Sequence, residues 1–165
     1  KYVDSGMSWG PDGFAQPTAD VSPAALTAAD PDEAAAHVAA AIRALRPHAV
    51  VTYADDGGYG HPDHVATHRI TVRAVEAAAA SDDAEDPAWD VPLTWGIESE
   101  VDPTDTRPQA AIHGDLAVKR AAMAAHATQI VLAEDPADPS YTMSNGVPQS
   151  IHSTETFRLL RGDRG

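Results

Sequence analysis

The stretch "HAVVTYADDGGYGHPDH", residues 48–64, decides the fold. Its first seven residues are apolar and β-branched, which is the composition of a buried strand. Gly57, Gly58 and Gly60 follow within four positions and mark a tight loop. Pro62 then fixes φ near the helical value and opens a helix that runs to about Ala80, with Ile70, Val72 and Val75 as its apolar contacts. Upstream, "DPDEAAAHVAAAIRALRP" (30–47) reads as another helix. Asp30 caps it, Pro31 suits the first position, Glu33 makes a capping-box-like pattern, and Pro47 ends it. Val38, Ile42 and Leu45 form its apolar stripe. The order helix, strand, Gly-rich loop, helix is the repeating unit of an α/β domain with a parallel sheet.

Working outward, residues 1–29 are rich in Gly, Pro, Ser, Asp and Ala and read as loop. An acidic connection at 81–92 leads to a strand at 93–99, and residues 101–111 are polar and Pro-rich. A third helix is expected over 114–132, with Leu116, Met123 and Ile130 on related faces. The segment after it reads as loop, and "TETFRLLR" (154–161) as a terminal strand at a sheet edge. The expected fold is α/β: a Rossmann-like open, mostly parallel sheet flanked by helices, lacking its N-terminal strand–helix portion. Residues 1–165 are read as one such partial domain.

Composition narrows the function. The chain carries 25 acidic and 11 basic residues, a formal charge of −14, with no Lys/Arg cluster. A phosphate-backbone footprint is missing, so nucleic acid is not an expected partner, and the acidic surface disfavours anionic membranes. Cysteine is absent, which excludes disulfides and thiolate metal sites and leaves His and carboxylates as strong ligands. No apolar run approaches the ~18 residues of a membrane span. A soluble cytoplasmic protein is expected.

Chemistry concentrates in "DDGGYGHPDHVATHR" (55–69). A Gly-rich loop at the C-terminal end of a buried strand is where open α/β sheets place their ligand crevice. Two readings stand side by side. In one, His64 and His68 form an i,i+4 metal pair. In the other, His64 is a ligand while His61 and Tyr59 point into the crevice as acid or oxyanion-stabilising groups. Asp63 is a candidate carboxylate for fixing one ring's tautomer. The bland reading keeps the glycines as a tight turn, Asp63 as a helix-dipole partner and the histidines in solvent.

At these residues the sequence resembles a known family. "GGYGHPDHVATH" is similar to the second motif of the LmbE/PIG-L-type zinc-dependent de-N-acetylases, and in particular to the actinobacterial enzymes of mycothiol biosynthesis and detoxification. "RALRPHAVVTY", "VDSGM" at 3–7 and "KRAAMAAHATQIV" at 119–131 resemble the same group. Gly60 and "MSNGVPQS" resemble the deacetylase more than its sister, the mycothiol conjugate amidase. The resemblance implies zinc, or ferrous iron, as cofactor and an N-acetylated amino sugar of the glucosaminyl-inositol type as substrate. It implies His64 as a metal ligand, His61 as electrostatic stabiliser or general acid, Asp63 as its orienting carboxylate, and Tyr59 as a mobile tyrosine that polarises the amide carbonyl and binds substrate. Asp4 and Met7 correspond to sugar-contacting positions and Asn145 to a substrate-side asparagine, while His68 is left without an essential role.

The sequence departs from the family in one respect. The His-Pro-Asp-Asp motif that supplies the remaining ligands and the general base does not occur here. The expectation is therefore that these residues are part of a longer protein. The activity expected is metal-dependent deacetylation, with an amidase acting on mycothiol S-conjugates and an inactive sugar-binding domain as alternatives. Outside the cluster, His126, His37 and His48 read as packing or structural residues, and His113 and His152 as surface groups. Trp89 and Trp95 read as core or rim. Trp9 reads as buried, with a sugar-lining role as the sharper alternative.

Overall fold

The computed structural model describes residues 1–98, 103–135 and 137–162. Ser99, the expected end of a strand, and residues 101–102, the start of the polar connection, lie outside the described residues. Two compact units are formed, one by residues 1–109 with 157–165, the other by residues 110–156.

The first unit begins with a short antiparallel hairpin, β1 (Met7–Trp9) and β2 (Ala15–Pro17), in a region expected to be loop. Gly10 N–H donates to the Phe14 carbonyl at 2.7 Å and closes the turn. A 3₁₀ turn at Leu26–Ala28 leads to α1 (Pro31–Leu45). Asp30 caps α1 as expected, its Oδ1 accepting from the amides of Asp32 and Glu33 at 2.8 and 3.4 Å. Glu33, expected to complete a capping box, sends its carboxylate to Lys1 instead. Arg46 ends the helix in the left-handed region, one residue before Pro47.

The expected apolar stripe of α1 is only partly used. Ile42 is buried, but Leu45 is 78% exposed, and Ala34, Ala35 and Ala39 do most of the packing. They meet Ile70, Ala74, Val75 and Ala78 of α3 (Pro62–Ala79) in one apolar cluster that also holds Val91. Facing alanines let two helix backbones approach closely, at the cost of little apolar area, about 0.8 kcal/mol per buried methyl-sized group. Trp89 packs at the rim, its Nε1–H donating to the Pro47 carbonyl at 2.9 Å, and Trp95 is buried.

Strand β3 (Ala49–Tyr53) pairs in parallel with β4 (Leu93–Glu98) over five residues, from Ala49 with Leu93 to Tyr53 with Ile97. The expected helix–strand–loop–helix unit is thus present, and it is the parallel part of the fold. The strand was expected to be buried; Val51 is 59% exposed, and β3 stands at the end of the sheet order. The last strand, β9 (Thr154–Arg161), has the expected bounds but is not at an edge: it follows β4 in that order.

In the second unit, β5 (Gln109–His113) precedes α4 (Leu116–Ala124) and neighbours the start of β9. Helix α4 stops well before the expected Leu132. After Ala124 the chain turns, and β-branched Val131 joins Leu132 as β6, antiparallel to β7 (Ser140–Thr142). β7 pairs in turn with β8 (Pro148–Ser150), so a three-strand antiparallel sheet takes in the end of the expected helix and part of the stretch expected to be loop. The fold is α/β with one parallel and several antiparallel pairings among the described registers.

Candidate active site

The loop between β3 and α3 is a single distorted turn, α2 (Gly57–Gly60), with Asp56 Oδ1 accepting from the Gly58 amide at 2.8 Å. Two glycines are required by its path. Gly57 has φ +71°, and an added Cβ would lie 3.0 Å from His64 Cβ and from the Val65 amide. Gly60 has φ +84°, and its Cβ would sit 2.8 Å from the Ala15 carbonyl oxygen. No side chain fits either place, because left-handed φ and steric clash coincide. The loop is therefore pinched between the hairpin on one hand and the first turn of α3 on the other.

That pinch brings three rings together. Tyr59 meets His61 edge-on at 5.9 Å between centroids and His64 edge-on at 5.2 Å. The two imidazoles stack at 4.7 Å and 26°. His64 also lies parallel to Tyr53, the last residue of β3, at 4.0 Å and 5°. Trp9 stacks on Tyr59 at 5.6 Å and 29°. The cluster is thus wider than the sequence suggested: Tyr53 was missed, although the final residue of a parallel strand is where a side chain reaches the crevice.

Hydrogen bonds assign the imidazole nitrogens. His64 Nδ1 is 3.1 Å from the Gly57 carbonyl, which can only accept, so Nδ1 carries the proton and Nε2 keeps its lone pair. Half-burial of the ring pushes the His64 pKa down, since desolvation disfavours the imidazolium. A neutral ring with a free Nε2 is the form that ligates a metal. His61 is the opposite tautomer. Its Nδ1 accepts from the Asp63 amide at 3.1 Å as the N-cap of α3, so the ring proton is on Nε2. His61 thus presents a donor and His64 an acceptor.

Asp63 contributes twice. Its amide sets the His61 tautomer, and its carboxylate Oδ2 accepts from the Ser5 amide at 3.0 Å. Asp63 Oδ1 is buried and has no hydrogen-bond partner among the described residues. Through Ser5 the helix start anchors "VDSGM", where exposed Asp4 accepts from the Gly6 amide and Met7 opens β1. His68 is held away from the cluster's chemistry: its Nδ1 donates to the Tyr53 carbonyl at 2.7 Å and ties α3 to the end of β3. Asn145 stands in the second unit, on the turn before β8, with Oδ1 accepting from the Val147 amide at 3.1 Å.

Beside the loop, Arg158 of β9 ion-pairs with Asp55 at 3.3 Å, with Asp105 at 3.0 Å and with Glu98. This network clamps Asp55 to the strand ends. Arg107 and Arg158 together hold the Asp105 carboxyl well below its ordinary range, while burial pushes Glu98 up. A cavity of about 730 Å³ borders the loop at Gly60 and Pro62 and is lined also by Leu26, Arg69 and Arg73. None of the three rings lines it.

A parallel strand, a glycine-pinched loop and a helix start bearing imidazoles of complementary polarity make an α/β protein with a polar cluster at the end of a strand. Residues 2–75, which hold the whole cluster, match the PIG-L family, described as GlcNAc-PI de-N-acetylase. The chain resembles this family over those residues. It is 38% identical over 99% of its length to a protein of Kineococcus radiotolerans and 39% identical over 100% to one of Geodermatophilus obscurus. A third relative, from Rhodococcus opacus, is 38% identical over 100%. All three are named 1D-myo-inositol 2-acetamido-2-deoxy-alpha-D-glucopyranoside deacetylase. The chain spans 55%, 64% and 63% of those relatives' lengths.

Proposed function

We propose that the protein hydrolyses an amide, removing acetyl from an N-acetylglucosaminyl-inositol-type sugar as in mycothiol biosynthesis. The observation that carries this reading is the ring cluster: a phenol, a donor imidazole and an acceptor imidazole gathered at the end of a parallel strand, within the segment that the family match covers. The relatives' printed names support the same substrate.

Amide hydrolysis passes through a tetrahedral oxyanion, and donors aimed at that charge lower the barrier. In this proposal His61 donates from Nε2–H and Tyr59 from its hydroxyl to the former carbonyl oxygen. The cap bond that His61 accepts on Nδ1 favours the stabiliser role over that of a general acid, since a second ring proton would displace the Asp63 amide. Asp63 fixes the His61 tautomer and the Ser5 segment, which presents Asp4 and Met7 to the sugar. Asn145 is assigned to the substrate side.

His64 is proposed as a ligand for zinc, with ferrous iron as the other candidate. Such an ion, when bound, activates water and polarises a carbonyl. Catalytic zinc takes about three protein ligands. Among the described residues no group of three or more His, Cys, Asp or Glu could hold an ion. His64 alone does not complete such a site.

The fold is proposed as Rossmann-like, one catalytic domain built around β3, α3 and β4, working in the cytoplasm on a small molecule rather than on nucleic acid or membrane. No helix of the described residues is long and apolar enough to cross a membrane. The test is acetate release from the N-acetylated sugar by the zinc-loaded protein, run beside a mycothiol S-conjugate. Release of acetate with the conjugate untouched is expected. Turnover of the conjugate alone would make it an amidase, and turnover of neither would leave a binding domain.

A further inference from the structure

We infer that Trp9 is a positioning residue for Tyr59, which makes the β1–β2 hairpin part of the site; this rests on the reading of Tyr59 as a donor in the deacetylation. The backbone cannot hold Tyr59 by itself. Its φ and ψ, −105° and 21°, fall outside regular helix, and it stands between Gly58 and Gly60, whose φ values are +78° and +84°. Glycine on both sides leaves the local chain permissive, so the direction of the phenol is set by what its ring touches.

Two kinds of ring contact meet the phenol. His61 and His64 meet it edge-on, at 5.9 and 5.2 Å. Trp9 covers it in a stacked arrangement at 5.6 Å. Stacked and edge-on contacts both have preferred geometries, and among these three the indole alone comes from outside the loop and the helix start that it meets. The indole is itself well placed to act as a fixed wall. Trp9 is paired with Ala15 across the hairpin, and the Ala15 carbonyl is the atom against which Gly60 packs. At the other end of the segment, the Ser5 amide is bonded to Asp63. The hairpin is therefore pinned to the catalytic loop at Gly60 and to the helix start at Asp63, with Trp9 between the two pins.

The experiment is a double-mutant cycle on the zinc-loaded protein with W9A, W9F, Y59F and W9A/Y59F, together with NMR of the Tyr59 ring protons. W9A is expected to lower kcat about tenfold, the scale of a lost aromatic pair, with KM changed less than about threefold. W9F is expected to recover most of the loss. W9A/Y59F is expected to be no worse than Y59F, because Trp9 acts only through Tyr59. Losses that multiply in the double mutant would overturn the inference. The Tyr59 ring resonances are expected to move in W9A and to return toward wild type in W9F. Resonances that stay in place in W9A would equally overturn it. The NMR readout needs no turnover, so absence of acetate release from wild type would sink the proposed function while leaving the Trp9–Tyr59 contact judged by its own signal.

Discussion

Helices α1 and α3 pack against each other, begin alike with a proline at the first position, and differ in what caps them. Asp30 caps α1 with a carboxylate, a preferred N-cap group; His61 caps α3 with an imidazole nitrogen, which is not. The α1 cap faces solvent and stabilises a helix. The α3 cap stabilises a helix and also fixes a tautomer, leaving Nε2–H directed away from the backbone and beside Tyr59 and His64. A residue that breaks a local preference while neighbouring elements obey it points to chemistry at that place.

The largest effect is expected one residue beyond Asp63. H64A removes the acceptor imidazole, and acetate release and zinc binding should both fall below detection, while circular dichroism stays native. The comparison of caps is sharpened most by H61N. Asparagine is a better cap than histidine, so the variant should melt at or above the wild-type temperature, yet its kcat should drop about 10²–10³-fold, the loss of one oxyanion donor. An H61N protein that is both active and stable would reduce His61 to a cap and break the comparison. D30A should do the reverse at α1: a loss of about 0.5–2 kcal/mol in denaturant unfolding, with kcat and KM unchanged.

A smaller effect separates the helices by pH. The folded His64 pKa is lowered from 6.5, mainly by burial, so the native state resists a proton that the unfolded chain accepts. Stability is fully present above pH 6.5 and declines as pH falls below it, through the folded value. Melting temperatures measured from pH 7.5 to 5 should show this decline in wild type and less of it in H64N. The smallest effect is assigned to H68A. Its ring donates to the Tyr53 carbonyl and touches no proposed reacting group, so kcat/KM should fall less than about tenfold, below the roughly 10–100-fold loss of groups that orient a ligand.

The same two helices show what was legible in sequence. Asp30, Pro31 and Pro47 bounded α1, and Pro62 opened α3, because caps and prolines act through a few neighbouring atoms. The motif placed His61, His64 and Tyr59 together, and its glycines explained the loop. Burial was less legible. Leu45 was expected inward and is exposed, since the alanine face of α1 fits against α3 more closely than a leucine would. Val51 reads as buried and is exposed, because an apolar run does not say which face of its sheet is covered. Short strands such as β1, β2, β7 and β8 carry no periodicity of their own, because each spans three residues and is fixed by its partner. Trp9 and Tyr53 joined the ring cluster by tertiary placement, which spacing along the chain does not encode.

The central claim is that the helix start at His61 and His64 runs amide hydrolysis. It is tested most directly by acetate release from N-acetylglucosaminyl-inositol, measured with zinc-loaded wild type, H61N and H68A side by side. The account predicts release by wild type and H68A and a loss of about 10²–10³-fold in H61N. Equal release by wild type and H61N would contradict it.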